Sequence, residues 1–423
     1  MSFQQGLSGL NAASKQLEVI GNNVSNANTV GFKQARAEFA DVYANSLSGG
    51  GGTQIGIGAK LSTVAQQFTQ GNVTGTNNPL DIAINGNGFF RMSNNGAITY
   101  SRNGQFQMDK SGFIVDASSK RLTGFAADAS GALLKGAPAD LQISTADISP
   151  QSTTEIDGIV NLDSRKTAPA ITPFDPTDPA TYSDSTAVSV FDSYGISHTL
   201  QTFFVKDALP NVWNLYTTAD GVFTTGVNAT TPAATLTFPA SGTGVNPTSS
   251  VNPIPVSFAP TTGTPPVATG AASPLTFTMD YTKGTQFGSS FSINSLLQDG
   301  FASGRLSTFN TAADGTIVGS YSNGQSRILG QVTLVNFTNP NGLQSLGGNA
   351  WAESAGSGAP QPSFGGTPGT GPLGVLQSSA VEDSNTDLTA ELVNMITAQR
   401  YYQANAQTIK TQDQVLQTLV NLR

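Results

Sequence analysis

Residues 388–423 read LTAELVNMITAQRYYQANAQTIKTQDQVLQTLVNLR, and this stretch decides how the chain is organised at its ends. Its apolar side chains recur in alternating steps of three and four residues, which is the heptad spacing of helices that pack along a seam. The seam positions are Leu388, Leu392, Met395, Gln399, Tyr402, Ala406, Ile409, Asp413, Leu416 and Val420, with Gln399 and Asp413 as polar interruptions. The pattern predicts a long C-terminal helix with one apolar stripe.

The N-terminal residues repeat the same spacing over a shorter length. The positions are Phe3, Gly6, Leu10, Ala13, Leu17, Ile20 and Val24, with small residues at two of them. Asparagine and glycine accumulate from Asn26 to Gly31, where we expect the helix to end. Neither helix can bury its stripe alone. The stripes therefore predict that the two helices pack on each other, although docking on the chain's own globular core is the alternative that the residues leave open.

The residues between these ends carry the turn signals of β hairpins. Asn-Gly and Asp-Gly pairs, which accept the positive φ angles of two-residue turns, begin at Asn85, Asn95, Asn103, Asp157, Asp220, Asp299, Asp314, Asn323 and Asn341. Residues 98–108 alternate apolar and polar side chains around Asn103 and Gly104, which predicts a hairpin centred on that pair. The fold class is therefore mainly β with helical termini.

Two segments interrupt the β pattern. Residues 228–274 are rich in threonine, proline, alanine and glycine, which suggests one β domain inserted into another. The glycine run at residues 49–52 predicts an extended or mobile connection.

Composition and charge exclude several classes of function. The 423 residues carry a net charge of −8 and only 11% charged side chains, which argues against nucleic acid and anionic membranes as partners. No apolar run approaches the length of a membrane span, and no signal peptide precedes Lys15. The chain has no cysteine, so disulfides and thiolate chemistry are excluded.

The residues offer no reaction centre. The one histidine, His198, lies on a predicted strand without a marked partner, and a role on a strand surface or in a hairpin explains it. Glu382 and Asp383 form an acidic pair before the last helix, which the helix dipole explains. We expect no catalytic residue, no metal site and no cofactor.

Several motifs nevertheless resemble a known family. LSGLNAA at 7–13 and IGNNVSNANTVGFK at 20–33, with Asn22, Asn23, Asn26, Asn28, Gly31 and Phe32, resemble the N-terminal signature of flagellar rod and hook proteins. QFTQGN at 67–72, NPLD at 78–81, GNGFF at 86–90 and YSRNG at 100–104 resemble the segment that these proteins share. QDGFASG at 298–304, YSNGQ at 321–325 and NFTNPNGL at 336–343 resemble hook proteins in particular, and LVNMI through RYYQAN at 392–405 resembles the family's last helix.

The resemblance implies a structural, non-enzymatic subunit of the flagellar hook. Such a subunit assembles into a short curved tube that acts as a universal joint and transmits torque from rod to filament. The implied partners are further copies of the chain, the distal rod, the hook cap, the hook–filament junction proteins and the type III export apparatus. The implied location is the extracellular flagellum, reached without a cleaved signal peptide and without membrane insertion.

The resemblance also implies four regions. Residues 1–29 and 385–423 would form the coiled-coil-like helical domain, 30–73 and 366–384 a connecting region, 74–155 and 284–365 an inner β domain, and 156–283 an outer β domain nested in the inner one. The expected self-assembly seam comprises Leu10, Leu17, Ile20, Val24, Leu388, Leu392, Met395, Tyr402, Ile409, Leu416 and Val420.

Three other functions remain open at this point. A distal rod protein shares the terminal motifs but lacks a large insert, so the insert favours the hook. A secreted adhesin would explain the Thr/Pro-rich segment and leave the terminal stripes unexplained. A peptidoglycan hydrolase would need a catalytic carboxylate, and no sequence pattern indicates one.

Overall fold

The computed structural model describes residues 2–42, 56, 58–240, 246–263 and 267–421. The chain divides into two compact units. Unit 1 comprises Met1–Thr145, Ser307–Ser320 and Ser326–Arg423, and unit 2 comprises Ala146–Leu306 and Tyr321–Gln325. The glycine run at residues 49–52 lies outside the described residues.

Two helices lie at the ends of the sequence, as the stripes predict. Helix α1 spans Ser2–Ser25 and helix α2 spans Leu388–Asn421. Asp387 begins α2, since its Oδ1 accepts hydrogen bonds from the amides of Thr389 at 2.8 Å and Ala390 at 3.1 Å. The prediction of a mainly β chain with helical termini is confirmed.

Strands fill unit 1 between the helices. Those before unit 2 are β1 Ala35–Val42, β2 Gly58–Gln66, β3 Val73–Gly75, β4 Ile82–Asn85, β5 Phe89–Asn94, β6 Ala97–Ser101, β7 Gln107–Met108, β8 Ile114–Val115, β9 Arg121–Ala126 and β10 Ala139–Asp140. Strands β1 and β2 form a two-stranded antiparallel ribbon. A small aromatic core forms around Phe89, Tyr100 and Trp351.

The described residues of unit 2 form the next thirteen strands. They are β11 Glu155–Asp163, β12 Asp184–Phe191, β13 Ser197–Lys206, β14 Val212–Ala219, β15 Val222–Phe223, β16 Ala234–Thr237, β17 Thr248–Ser249, β18 Ile254–Phe258, β19 Thr261–Thr262, β20 Val267–Ala268, β21 Leu275–Asp280, β22 Thr285–Phe287 and β23 Ser292–Gln298, with a 3-10 turn at Pro179–Thr181. A five-stranded sheet around β11 and a six-stranded sheet around β13 and β14 share one core, in which Trp213, Leu215 and Met279 are fully buried. Unit 2 is therefore a β sandwich.

The remaining strands lead to α2. They are β24 Leu306–Thr311, β25 Thr316–Tyr321, β26 Ser326–Val332, β27 Leu334–Asn336, β28 Gln344–Gly347, β29 Ala350–Ala352, β30 Gln361–Gly366, β31 Val375–Ser378 and β32 Ala380–Glu382, with a 3-10 turn at Pro340–Gly342. Strands from both halves of unit 1 pair: β29 joins β6, β31 joins β4, and β32 joins β3. The segments that flank the two helices are thus held side by side.

The hairpin predicted around Asn103 and Gly104 is wrong. Strand β6 pairs instead with β5 across Asn95 and Gly96, which have φ angles of 50° and 92°. Gly104 packs under strand β4, since its carbonyl accepts from the Ile82 amide at 2.9 Å. The alternation of side chains predicts strand β6 correctly. The Asn-Gly pair that closes the hairpin is Asn95-Gly96, before β6, and not Asn103-Gly104 after it.

The predicted boundaries of the outer β domain differ from those of unit 2. Unit 2 begins at Ala146, and residues 284–306 belong to it, whereas the prediction places the outer domain at 156–283. The reason is that β22 and β23 both pair with β11. The four-region division and the nesting of the domains stay predictions.

Candidate self-assembly site

The two terminal helices pack against each other in antiparallel orientation. A Cβ atom on Gly6 would lie 3.0 Å from Ile409 Cγ1, and one on Gly9 would lie 2.5 Å from Asn405 Oδ1. Farther along α1, Asn23 Nδ2 donates to Glu391 Oε1 at 3.2 Å. The contact uses small residues, and Ala13 and Ala398 are buried in it as well. Close approach of two backbones requires such residues, so Gly6 of the N-terminal stripe, together with the neighbouring Gly9, marks the contact itself.

Helix α1 also docks on the ribbon of β1 and β2. Ser8 Oγ donates to the Ala59 carbonyl at 3.1 Å and accepts from the Ala59 amide at 2.8 Å. Gln5 Nε2 donates to the Gly56 carbonyl at 2.7 Å. One face of α1 is therefore covered by α2 and another by the chain's own strands.

Helix α2 runs past the start of α1. It has 34 residues against 24 in α1, and Gly6 already lies opposite Ile409. The last turns of α2 have no α1 residues to pack against, so Leu416 is 54% exposed and Val420 74% exposed. The described residues of the same chain thus leave apolar side chains of α2 uncovered.

The start of α2 carries a second uncovered area, for a different reason. A straight helix drifts by about 20° per heptad from a strict seven-residue repeat. Leu388 lies three heptads before Ile409, so its side chain is rotated away from α1 and is exposed, as is that of Leu392. Val393 and Ile396, which follow Leu392 in α2, are also exposed. We call Leu392, Val393 and Ile396 the outer patch.

The predicted seam residues thus fall into two groups. Those that are buried or half-buried in the single chain are Leu10, Leu17, Ile20, Val24, Met395 and Ile409, and those that are exposed are Leu388, Leu392, Tyr402, Leu416 and Val420. Their role in self-assembly stays a prediction.

The motif residues in the last turn of α1 and in the turn that follows connect the helix to β1. Asn23 is buried, and its side-chain amide pairs with Ala35 like a strand neighbour, donating to the carbonyl at 2.8 Å and accepting from the amide at 2.9 Å. Asn26 Nδ2 donates to the Asn22 carbonyl at 2.9 Å. Gly31 has φ +71°, and a Cβ there would lie 2.6 Å from the Asn103 amide, so only glycine fits. Asn28 is exposed, and Phe32 is half-buried.

A buried cluster of three charges lies where these segments meet. Lys33 Nζ lies 2.7 Å from Glu382 Oε1, and Arg102 Nη1 lies 3.2 Å from Glu382 Oε2. We call these three residues the junction triad. Backbone groups complete it: Lys33 donates to the Thr69 carbonyl at 2.8 Å, and Arg102 Nη2 donates to the Gly86 carbonyl at 2.9 Å. The triad joins the segment after α1, the strand body and the segment before α2.

The charges of the triad depend on one another. Burial lowers the pKa of Lys33, and the adjacent Glu382 carboxylate opposes that shift. Burial likewise lowers the pKa of Arg102 against the same carboxylate. Removing one partner of such a group leaves a charge in a region that excludes water. The triad therefore holds the junction through contacts in which each charged side chain needs its partners.

Sequence reasoning missed the triad and misread Glu382. The acidic pair was attributed to the helix dipole, but the Glu382 side chain is fully buried and paired with two cations. Lys33 and Arg102 did stand inside the recognised motifs GFK and YSRNG. A charged residue inside such a motif was the available signal, but sequence alone could not show that these three meet.

His198 also differs from its predicted place on a strand surface. It lies on β13 in unit 2, is only 2% exposed, and its Nδ1 lies 2.7 Å from Asp220 Oδ2. Asp220 Oδ1 in turn accepts from the Thr199 amide at 2.8 Å. The imidazole therefore ties a strand to a hairpin turn, which is the predicted hairpin role at a buried position.

Comparison with known proteins gives four family-model matches along the chain. They are Flagella basal body rod protein over residues 3–33, Flagellar hook protein FlgE/F/G D1 domain over 83–161, Flagellar basal body protein FlaE D2 domain over 161–301, and Flagellar basal body rod FlgEFG protein C-terminal over 377–422. These matches include α1, α2 and most of unit 2.

Whole-chain relatives carry one name. The chain is 41% identical over 430 residues to flagellar hook protein FlgE of Escherichia coli strain K12, with all of both chains covered. It is 42% identical over 426 residues to the same-named protein of Salmonella typhimurium, again over all of both chains. The protein of that name from Borreliella burgdorferi is 33% identical over 451 residues, covering all of this chain and 99% of the relative.

A solved structure agrees in fold. The crystal structure of Helicobacter pylori flagellar hook protein FlgE2 matches with a TM-score of 0.51 at 14% identity, covering 73% of this chain and all of that one. Within the described residues, neither α1 nor α2 has the length and apolarity of a membrane-crossing helix. With full-length identities of 41% and 42%, this chain belongs to the flagellar hook protein family, which is a family of structural proteins and not of enzymes.

Proposed function

We propose that the chain is the repeating subunit of a flagellar hook and polymerises into a short curved tube through its terminal helices. The observation that carries this proposal is the uncovered apolar surface of α2. Leu416 and Val420, which lie beyond the first residue of α1 in the antiparallel pair, are exposed, and so is the outer patch near Asp387. Contiguous apolar surface of this kind is typical of an interface between proteins.

The exposed seam residues would be the ones that neighbouring copies cover. Leu388, Leu392, Tyr402, Leu416 and Val420 are exposed, and burying each large apolar side chain contributes about 1.5–3 kcal/mol. Leu10, Leu17, Ile20, Val24, Met395 and Ile409 would hold the pair of helices together within each copy. The seam would thus serve both packing within a copy and packing between copies.

The junction triad would transmit load between the helices and the strands. Torque has to pass from α1 and α2 into the rest of the chain, and Lys33, Arg102 and Glu382 connect the segments that leave the helices with the strand body. Charge-assisted hydrogen bonds have a defined geometry, so a buried ion-pair cluster opposes the sliding of the joined segments more than an apolar contact does.

The remaining partners follow from the proposed role. Copies would meet the distal rod at one end of the tube and the hook–filament junction proteins at the other, and would assemble beneath a hook cap after passage through the type III export apparatus without a cleaved signal peptide. The four-region division, with an outer β domain nested in the inner one, would place the helices on the inside of the tube.

The test is concentration-dependent sedimentation of the purified full chain, followed by electron microscopy of the pellet. We expect curved tubes, and we expect Ile396→Gln in the outer patch to raise the concentration needed for pelleting by about tenfold. Thr397→Gln is the matched control, because Thr397 is exposed on the next position of the same helix and is already polar. A wild-type chain that stays monomeric at every concentration would refute the proposal.

A rod subunit is the second candidate, since the family models over 3–33 and 377–422 bear the rod name. The curvature of the polymers decides between the two. Straight polymers from the wild-type chain would favour the rod.

A further inference from the structure

Glu391 is the one acidic side chain of α2 that is almost fully buried, being 3% exposed. Its Oε1 atom accepts hydrogen bonds from Asn23 and Gln34. Its Oε2 atom is buried and has no hydrogen-bond partner within the described chain. Burial of a carboxylate oxygen without a hydrogen-bond donor costs free energy. A donor from outside the described chain would remove that cost at Glu391 Oε2.

The carboxylate lines a polar cleft of about 550 Å³. The walls come from α1, β1, the start of α2 and Gln67 after β2. The other polar side chains in them are Gln16, Asn23, Gln34, Arg36, Gln67 and Asn394. Side-chain oxygens from the amides stand beside the carboxylate. A cationic group with several N–H donors matches such a site better than a point charge does.

Helix α2 presents a suitable cation on its opposite side. Arg400 is exposed and makes no ion pair with any residue that the structure describes. It follows Glu391 by nine residues, which is about two and a half turns of helix, or about 13.5 Å along the axis. Its side chain therefore leaves the helix about 180° from Glu391 and cannot reach the cleft of its own chain.

The outer patch lies on the same side as Arg400. Leu392, Val393 and Ile396 are exposed and precede Arg400 by four to eight residues. A second copy that covers this apolar surface also meets the arginine. Each copy thus carries two different surfaces: Arg400 beside the outer patch, and the Glu391 carboxylate in the cleft.

We infer that Arg400 of one copy docks into the Glu391 cleft of the next copy. This inference rests on the proposed polymer. The two halves of the contact are different surfaces on opposite sides of α2, so the contact is head-to-tail and can repeat from copy to copy. The occupant is a guanidinium group of a second copy, and the cleft distinguishes it from the ammonium of Lys410, which is exposed farther along the same helix.

The test is a double-mutant cycle on the full chain, read as the critical concentration for pelleting. Glu391→Gln keeps an acceptor for Asn23 and Gln34, and Arg400→Gln keeps a polar side chain at an exposed position. We expect each change to raise the critical concentration by about tenfold, and the double variant to rise no further than either single one. Lys410→Gln is the matched control and should pellet like wild type.

The outcomes separate this inference from the proposed function. A wild-type chain that never pellets refutes both. A wild-type chain that forms tubes, with additive effects of the two changes or no effect of Glu391→Gln, overturns the docking alone. Arg36→Gln reproducing the effect of Glu391→Gln while Arg400→Gln does not would place the donor in the same chain, because Arg36 lines the cleft too. Circular dichroism of each variant monomer checks that the helices are intact.

Discussion

Unit 2 and the helix α2 bury their apolar side chains to very different extents. The sandwich of unit 2 encloses one continuous core in which Trp213, Leu215 and Met279 have no exposed surface. Helix α2 has Leu416 and Val420 among its most exposed side chains. The core of the first region is filled by its own residues, whereas the second has an apolar surface that no described residue of the same chain covers. The difference separates residues that stabilise the subunit from residues available for joining subunits.

The largest expected effect is that of removing α2. A chain that lacks residues 388–423 should form no tubes at any concentration, because both the contact with α1 and the exposed stripe are lost. Unit 2 should keep its β circular dichroism, since its core contains no residue of α2. Electron microscopy and sedimentation measure the first result, and tubes of normal form would contradict the comparison.

Substitution of one apolar residue in unit 2 and one in α2 sharpens the comparison between these two regions. Trp213→Ala should lower the free energy of unfolding by about 3–5 kcal/mol, because it empties a fully buried site. Leu416→Ala should change the stability of the monomer by less than about 0.5 kcal/mol, because its site faces solvent. Denaturant unfolding of the monomers measures both. Equal losses would mean that α2 is already packed in the single chain.

The junction triad gives the next prediction. Glu382→Gln should destabilise unit 1 by about 3–5 kcal/mol, since Lys33 and Arg102 would remain buried without a counter-charge. Asp140→Asn is the matched control, because its ion pair with Arg121 at 3.0 Å is partly exposed to solvent and should contribute less than about 1 kcal/mol. Thermal unfolding of the two variants separates them, and a loss no greater than that of the control would mean that the triad carries no structural load.

Two glycines of α1 test whether its contact face is where the structure has it. Gly21→Ala should stabilise the monomer by up to about 1 kcal/mol, because a Cβ there meets no atom within 4 Å and alanine favours helix. Gly9→Ala should give no such gain, because its Cβ would press on the Asn405 side chain. A gain at both positions would contradict the packing of α1 on α2.

The last of these predictions concerns pH. Burial, with the nearby Glu353 carboxylate, raises the pKa of Tyr100 to about 12, whereas in the unfolded chain this phenol has its ordinary pKa of 10.0. Between those values the unfolded state releases a proton that the folded state retains, so stability falls as pH rises from 10 to 12. Tyr100→Phe should reduce that slope in alkaline unfolding experiments. An unchanged slope would show that Tyr100 ionises in the folded chain as it does in the unfolded one.

Sequence reasoning identified the two helices but not which side of each meets which neighbour. The heptad pattern from Leu388 to Val420 is an average over a repeat of 3.5, while a straight helix turns every 3.6 residues, so the stripe leaves the α1 contact at Leu388 and Leu392. The pattern also could not show that α2 overhangs α1, which depends on the pairing of Gly6 with Ile409. Glycine and alanine in the N-terminal stripe were the visible sign of the true contact.

Contacts between distant residues were beyond the sequence. Glu382 is separated by 349 residues from Lys33 and by 280 from Arg102, and no local pattern connects them. The mainly β fold class followed directly from turn residues and alternation. The pairing of β22 and β23 with β11 places the boundary of unit 2. It also joins residues that are far apart in the sequence, so no local pattern predicts it.

Amide hydrogen exchange of α2 in the monomer and in the tube tests most directly the claim that this helix is completed by other copies. The amides of the last turns, around Leu416 and Val420, should exchange rapidly in the monomer and become protected by orders of magnitude in the polymer. The amides of β14 in unit 2 should be protected equally in both. Equal and strong protection of α2 in the free subunit would contradict the account.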